Sequence, residues 1–151
     1  MAYPIALEQI SEALAAAVEQ VLDTMFFITV VSHSEQPPET ALPLCACMEF
    51  RGDPSGSFGV NLSESAARVI ASNFLGDEPE TVSEAQVAEV VCELCNMICG
   101  AVLTRIHGDN LFELTSPELQ NPERALEAAA RAVSRTFDVE DGLVQIYMKV
   151  N

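Results

Sequence analysis

Between Val87 and Ala101 apolar and polar residues alternate with the period of a helix. At about 100° per residue, Val87, Val90, Val91, Leu94, Met97, Ile98 and Ala101 share one side, which is the expected core face. Glu89, Glu93, Asn96 and Gly100 fall together on the opposite side, within about 60° of one another. The spacing predicts a helix that opens at Ser83 with Gln86 three residues on, a capping box. It runs to His107, and Gly108 is the expected stop. Its outward stripe is unusual. Asparagine is a weak helix former, and a mid-helix glycine costs about 1 kcal/mol relative to alanine. Something other than helix stability selects these residues.

The rest of the chain reads as short elements. Leu7 to Met25 repeats apolar residues at helical spacing. Phe26 to Val31 is rich in β-formers and is expected to be a buried strand. Three prolines make Glu35 to Pro43 a loop. Leu44 to Arg51 and Gly56 to Leu62 alternate around Gly52-Asp53-Pro54-Ser55, a hairpin pattern. Ser63 can cap a helix that ends near Leu75 and Gly76. After the long helix come a short strand (Leu111 to Thr115), a loop between Pro117 and Pro122, and a helical turn or two (Glu123 to Ala130). Val133 to Val139 and Leu143 to Val150 flank Asp141-Gly142, a strong hairpin signal. The two halves share a faint helix–strand–hairpin repeat. Antiparallel strands with helices on their faces predict an α+β layered fold, and the length suits a single domain over residues 1–151.

Charge narrows the function. The formal net charge is -16, from 23 acids and 7 bases. Binding of nucleic acid or anionic lipid is disfavoured, because phosphate contacts need clustered Lys and Arg. Attraction to a basic protein surface is permitted, beside the plainer reading that the charge serves solubility. The N-terminal stretch has no signal-peptide pattern and no apolar run approaches the roughly 20 residues of a membrane span, so a cytoplasmic protein is expected. There are five cysteines. Cys92, Cys95 and Cys99 border the core stripe of the long helix, and Cys45 and Cys47 share a face of one strand. An odd count argues against a disulfide framework, and neither His33 nor His107 stands at zinc-site spacing. Structural thiols are the expectation, with a metal or redox role the weaker alternative.

The run Glu93-Leu-Cys-Asn96-Met-Ile-Cys-Gly100, followed by Pro117, resembles the chemotaxis phosphatases of the CheC, CheX and FliY type, with CheX nearest in size and layout. That family pattern places an Asp or Ser four residues before the Glu, the Asn three after it, and a Pro some two dozen residues later. Here Glu89 stands at the Asp or Ser position, and the step from Asn96 to Pro117 is slightly short. A second Glu-x-x-Asn, Glu118 to Asn121, lies between two prolines where a long helix is not expected. The first predicted helix carries no such pair, so a single site is expected.

The resemblance implies a CheC-like fold with pseudo-symmetric halves and a phosphorylated CheY-type response regulator as substrate. It assigns Asn96 to orienting the attacking water and Glu93 to docking on the regulator's lysine. Mg²⁺ would be supplied by the regulator, with no cofactor or metal held by this chain. Gly100 either admits the partner's backbone or packs tightly against a neighbouring element. Pro117 shapes the strand end beside the helix. A non-catalytic regulator-binding or signalling-complex module of the same fold is the alternative. The resemblance and the apolar terminal strand also point to a homodimer.

Overall fold

A computed structural model of the chain describes residues 6–108 and 111–151. Four α-helices and seven strands follow in the order α1 (Leu7–Phe26), β1 (Val30–Ser34), β2 (Leu44–Arg51), β3 (Gly56–Leu62), α2 (Glu64–Leu75), α3 (Glu84–His107), β4 (Glu113–Leu114), β5 (Glu118–Leu119), α4 (Pro122–Ala130), β6 (Val133–Val139) and β7 (Gly142–Val150). A 3-10 turn at Pro79–Thr81 links α2 to α3. The strands form one antiparallel sheet in the order β1-β6-β7-β3-β2-β4, with β5 also on β2. The fold class is α+β, as expected.

The sheet explains the faint repeat. Hairpins β2–β3 and β6–β7 meet at the centre, where β3 pairs β7 from Gly56↔Val150 to Leu62↔Val144. The edge strand after α1 pairs with the second half's hairpin, and the edge strand after α3 pairs with the first half's. Each half therefore completes the other.

Strand alternation divides the two faces. Ala46, Met48, Phe50, Phe58, Val60, Leu62, Val144, Ile146 and Met148 point into the core shared with α1, α2 and α3. The opposite face carries Cys45, Cys47, Asn61, Gln145 and Tyr147, and α4 packs there through buried Ala125 and Ala129. Gly59 is required on that face, since a Cβ would overlap the Tyr147 ring. Asn61 Nδ2 donates to Gln145 Oε1 at 2.9 Å across the central strand pair.

The long helix forms as its spacing predicts. Ser83 Oγ accepts from the Gln86 amide at 3.1 Å, and Gln86 Oε1 accepts from the Ser83 amide at 2.9 Å. A full capping box contributes about 1 kcal/mol. By length and composition alone α3 could cross a bilayer. In this fold Val87, Val90, Val91, Leu94, Ile98, Val102 and Ile106 are instead buried in the core.

Four expectations change. Phe26 does not start a strand. It lies one turn beyond Leu22 on the buried face of α1, is fully buried, and stacks on Phe74 at 5.2 Å. Burial on the helix outweighs local β-propensity. The strand begins at Val30 and is a mostly exposed edge. Gly108 ends α3 with right-handed dihedrals, so its freedom at positive φ is not used. The segment from Pro117 to Pro122 contains β5, which pairs with Ala46 and Cys47 of β2. Finally, β7 is hydrogen-bonded on both edges, to β3 and β6, so the apolar terminal strand offers no free edge to a second copy.

Candidate functional site

α3 is a rigid platform because one side is locked in the core while the other is open. Glu89 and Glu93 are exposed, and Asn96 and Gly100 are half-buried. Among the described residues the side chains of Glu89, Glu93 and Asn96 have no hydrogen-bond or ion-pair partner. Glu93 and Asn96 stand at i and i+3, neighbours about one turn apart on the helix surface. A free carboxylate and a free carboxamide therefore sit side by side on an element that cannot swing.

They border a crevice of about 280 Å³, lined by Glu89, Cys92, Glu93 and Asn96 on α3 and by Leu114, Thr115, Ser116 and Pro117 facing them. The second wall is the break between β4 and β5. Thr115 holds it to the sheet: its amide donates to Glu49 O at 3.0 Å, its hydroxyl accepts from the Glu49 amide at 2.8 Å, and Gln120 N donates to Cys45 O at 2.9 Å beyond the break. Pro117, with no N–H to give, suits a gap in the ladder. Pro117 thus shapes the strand end and also lines the crevice. Thr115 and Ser116 were not singled out from the sequence. Their only local signal is a Thr-Ser-Pro run after a strand, which does not reveal which distant helix it faces.

Gly100 has open space where a Cβ would be, with no atom within 4 Å. Internal packing does not require glycine there. The second Glu-x-x-Asn pattern has a structural use. Asn121 caps α4, its Oδ1 accepting from Glu123 N at 2.9 Å and Arg124 N at 3.3 Å, while Glu118 lies on β5.

All five cysteines are free. Burial pushes the Cys45 thiol up from 9.0 to about 11 and Cys99 to about 12, and raises Cys95, Cys47 and Cys92 as well. Thiols raised in this way are poor nucleophiles at neutral pH. Among the described residues no three His, Cys, Asp or Glu side chains converge on a potential metal position. His107 lies in the last turn of α3, roughly 16 Å along the axis from Asn96, and takes no part in the crevice.

The architecture is that of CheC-like chemotaxis proteins. The chain matches the family described as chemotaxis phosphatase CheX over residues 44–137, and it belongs to that family. Among solved structures, CheX from Vibrio vulnificus is similar with a TM-score of 0.74 and 21% identity, covering 98% of this chain and 100% of the other. CheX from Desulfovibrio desulfuricans gives 0.73 and 16%, over 95% and 99% of the two chains. The complex of CheX with CheY, BeF3 and Mg²⁺ from Borrelia burgdorferi gives 0.71 and 17%, over 93% and 96%. A comparison with curated proteins gives no match.

Proposed function

We propose that this chain, acting as a single domain, removes the phosphoryl group from the aspartyl phosphate of a CheY-type response regulator. The observation that carries the proposal is the unpartnered Glu93/Asn96 pair on the open side of a core-locked helix. Membership of a chemotaxis phosphatase family supports it, as does a CheX relative solved with CheY, BeF3 and Mg²⁺.

The reaction asks little of the enzyme. Water attacks phosphorus, the bond to the aspartyl oxygen breaks, and carboxylate and inorganic phosphate result. Mg²⁺ on the regulator neutralises charge on the transferring group, and this chain supplies geometry. The Asn96 carboxamide can accept from the water and donate to a phosphoryl oxygen. Glu93, one turn earlier, pairs with a regulator lysine through a charge-assisted hydrogen bond. The crevice beside them receives the edge of the regulator's site, and Gly100 admits its backbone. The reaction belongs in the cytoplasm with its substrate. We further propose a homodimer in which the α3 stripe stays open on both copies. With β7 paired on both edges, the sheet edges left for such a contact are β1 on one side and the short β4 and β5 on the other.

The test is loss of phosphate from the response regulators of the source organism, with Mg²⁺ and with or without the protein. Acceleration against at least one regulator is expected. Tight binding with no acceleration would replace catalysis by the non-catalytic regulator-binding reading.

A further inference from the structure

We propose that a groove between the end of α1, the start of β1 and α2 docks a partner protein segment carrying a large apolar side chain flanked by lysine or arginine. This surface lies apart from the α3 crevice and shares no lining residue with it. The groove has a volume of about 460 Å³ and is walled by Phe27, Ile28, Val31, Val69 and Val139. Phe27 is 76% exposed and Val31 70% exposed. Met25 near the end of α1 and Phe74 and Leu75 at the end of α2 are also partly exposed.

Phe27 is the telling residue. It terminates α1 in the left-handed conformation, φ 55°, with its amide on Leu22 O and the Ile28 amide also on Leu22 O at 2.9 Å. α2 ends in the same way, but there glycine does the work: Gly76 has φ 75° and donates to Ser72 O at 2.9 Å. Glycine takes this conformation without a Cβ penalty, while other residues lose roughly 1–2 kcal/mol. The Phe27 ring does not recover that cost by burial. Ile28, only 8% exposed, already supplies the apolar contact that follows such a cap. An exposed aromatic held where glycine fits better is selected for something outside the fold.

Charge identifies the occupant. Glu140 and Asp141 line the groove and no Lys or Arg does. Asp23 precedes the patch on α1 and Asp77 follows α2. A second copy of this chain would set acid against acid, and an anionic membrane would be repelled in the same way. An apolar anchor with a cationic surround meets both parts of the surface.

The experiment titrates the full chain with a labelled helix-forming peptide of leucine and lysine, and with its leucine–glutamate counterpart, at physiological salt. The basic peptide is expected to bind and the acidic one not to bind. Phe27→Gly leaves the net charge unchanged and should weaken binding tenfold or more while Tm stays level or rises. Glu140→Lys should weaken it as well. Regulator dephosphorylation should be unchanged in both variants. Undiminished binding by Phe27→Gly would reduce the interaction to non-specific charge and overturn the proposal. So would a fall in Tm of several degrees in Phe27→Gly, or its conversion of a dimer into monomers.

Discussion

α1 and α3 occupy equivalent places in the two halves, yet their polar faces are used in opposite ways. Each helix precedes an edge strand and contributes to the common core, and they pack on one another. On α1 several polar side chains are tied down. Ser11 Oγ accepts from Arg135 Nη1 at 2.7 Å and donates to Glu35 Oε1 at 3.2 Å. Glu19 pairs with His33 Nε2 at 3.3 Å, and Gln20 Oε1 accepts from Arg105 Nη2 at 2.5 Å. These contacts hold β1 and α3 in place. On α3 the stripe of Glu89, Glu93 and Asn96 holds nothing in place. The edge strands differ too: β1 is one strand whose pairing with β6 shifts register once, between Val30 and Ser32, whereas the opposite edge breaks at Thr115 to Pro117. One architecture thus yields a helix that braces its neighbours and a helix with an unpartnered polar stripe. The difference lies in where side-chain hydrogen bonds end, not in backbone shape.

The strongest way to break that distinction is Asn96→Ala. If α3 presents and α1 only supports, this change should cut the regulator dephosphorylation rate by about 10²-fold or more, as loss of a positioning group does. Tm should move little, because no partner inside the fold is lost. Ser11→Ala on α1 should show the reverse, lowering Tm with little direct effect on the rate. Single-turnover rates and thermal melts on both variants check the pair. Wild-type rate in Asn96→Ala would end the water-positioning assignment.

Next in size is Glu93→Lys. With a docking role it should raise the dissociation constant for the phosphorylated regulator by about tenfold, a loss near 1.4 kcal/mol. Wild-type association should slow as salt rises, because the chain carries -16. Association rates across a salt series measure both. A salt-independent rate together with unaltered binding by Glu93→Lys would remove the docking model.

Much of α3 was legible because its signals are local. Ser83 and Gln86 mark the start, the apolar period marks the buried face, and the odd residues on the other face mark the candidate site. Both hairpins were legible for the same reason. Illegible features depend on distant partners. Phe26 reads as a β-former until Phe74 and the core claim it for the helix. β5 exists only because Ala46 and Cys47 lie opposite, more than seventy residues earlier in the chain. The second crevice wall needs Thr115 on Glu49, a contact no local spacing encodes. β7 reads as an exposed apolar end, yet is enclosed because two hairpins join there. For Gly100 the sequence allowed packing or access equally, and the empty space around it removes the packing role.

Thiol burial gives a smaller contrast between the helices. α3 contributes Cys95 and Cys99 to the core, and α1 contributes Ala13 and Ala17. Burial raises the folded pKa of Cys99 to about 12, and that of Cys45 on β2 to about 11, above the ordinary 9.0. Above pH 9 the unfolded chain releases these protons while the folded chain retains them. The thiols' contribution is therefore fully present below pH 9 and is lost as pH rises through 11 and 12. Tm should fall over that window, and Cys99→Ala should flatten the fall. An equally steep decline in Cys99→Ala would assign the alkaline loss to other groups.

The smallest expected effect is the sharpest on the meaning of the stripe. Gly100→Ala adds one methyl group where no atom lies within 4 Å, and alanine is favoured over glycine mid-helix by about 1 kcal/mol. The variant should therefore be more stable than wild type, with Tm up by a few degrees. If α3 presents its stripe to a closely approaching regulator backbone, the same methyl group should weaken regulator binding severalfold. Stability and binding then move in opposite directions from one substitution. A stabilised protein with unaltered regulator affinity would separate Gly100 from the docking face and confine that face to Glu93, Asn96 and the Pro117 wall. A destabilised protein would mean that the helix is not open at this turn, and the contrast with α1 would lose its C-terminal half.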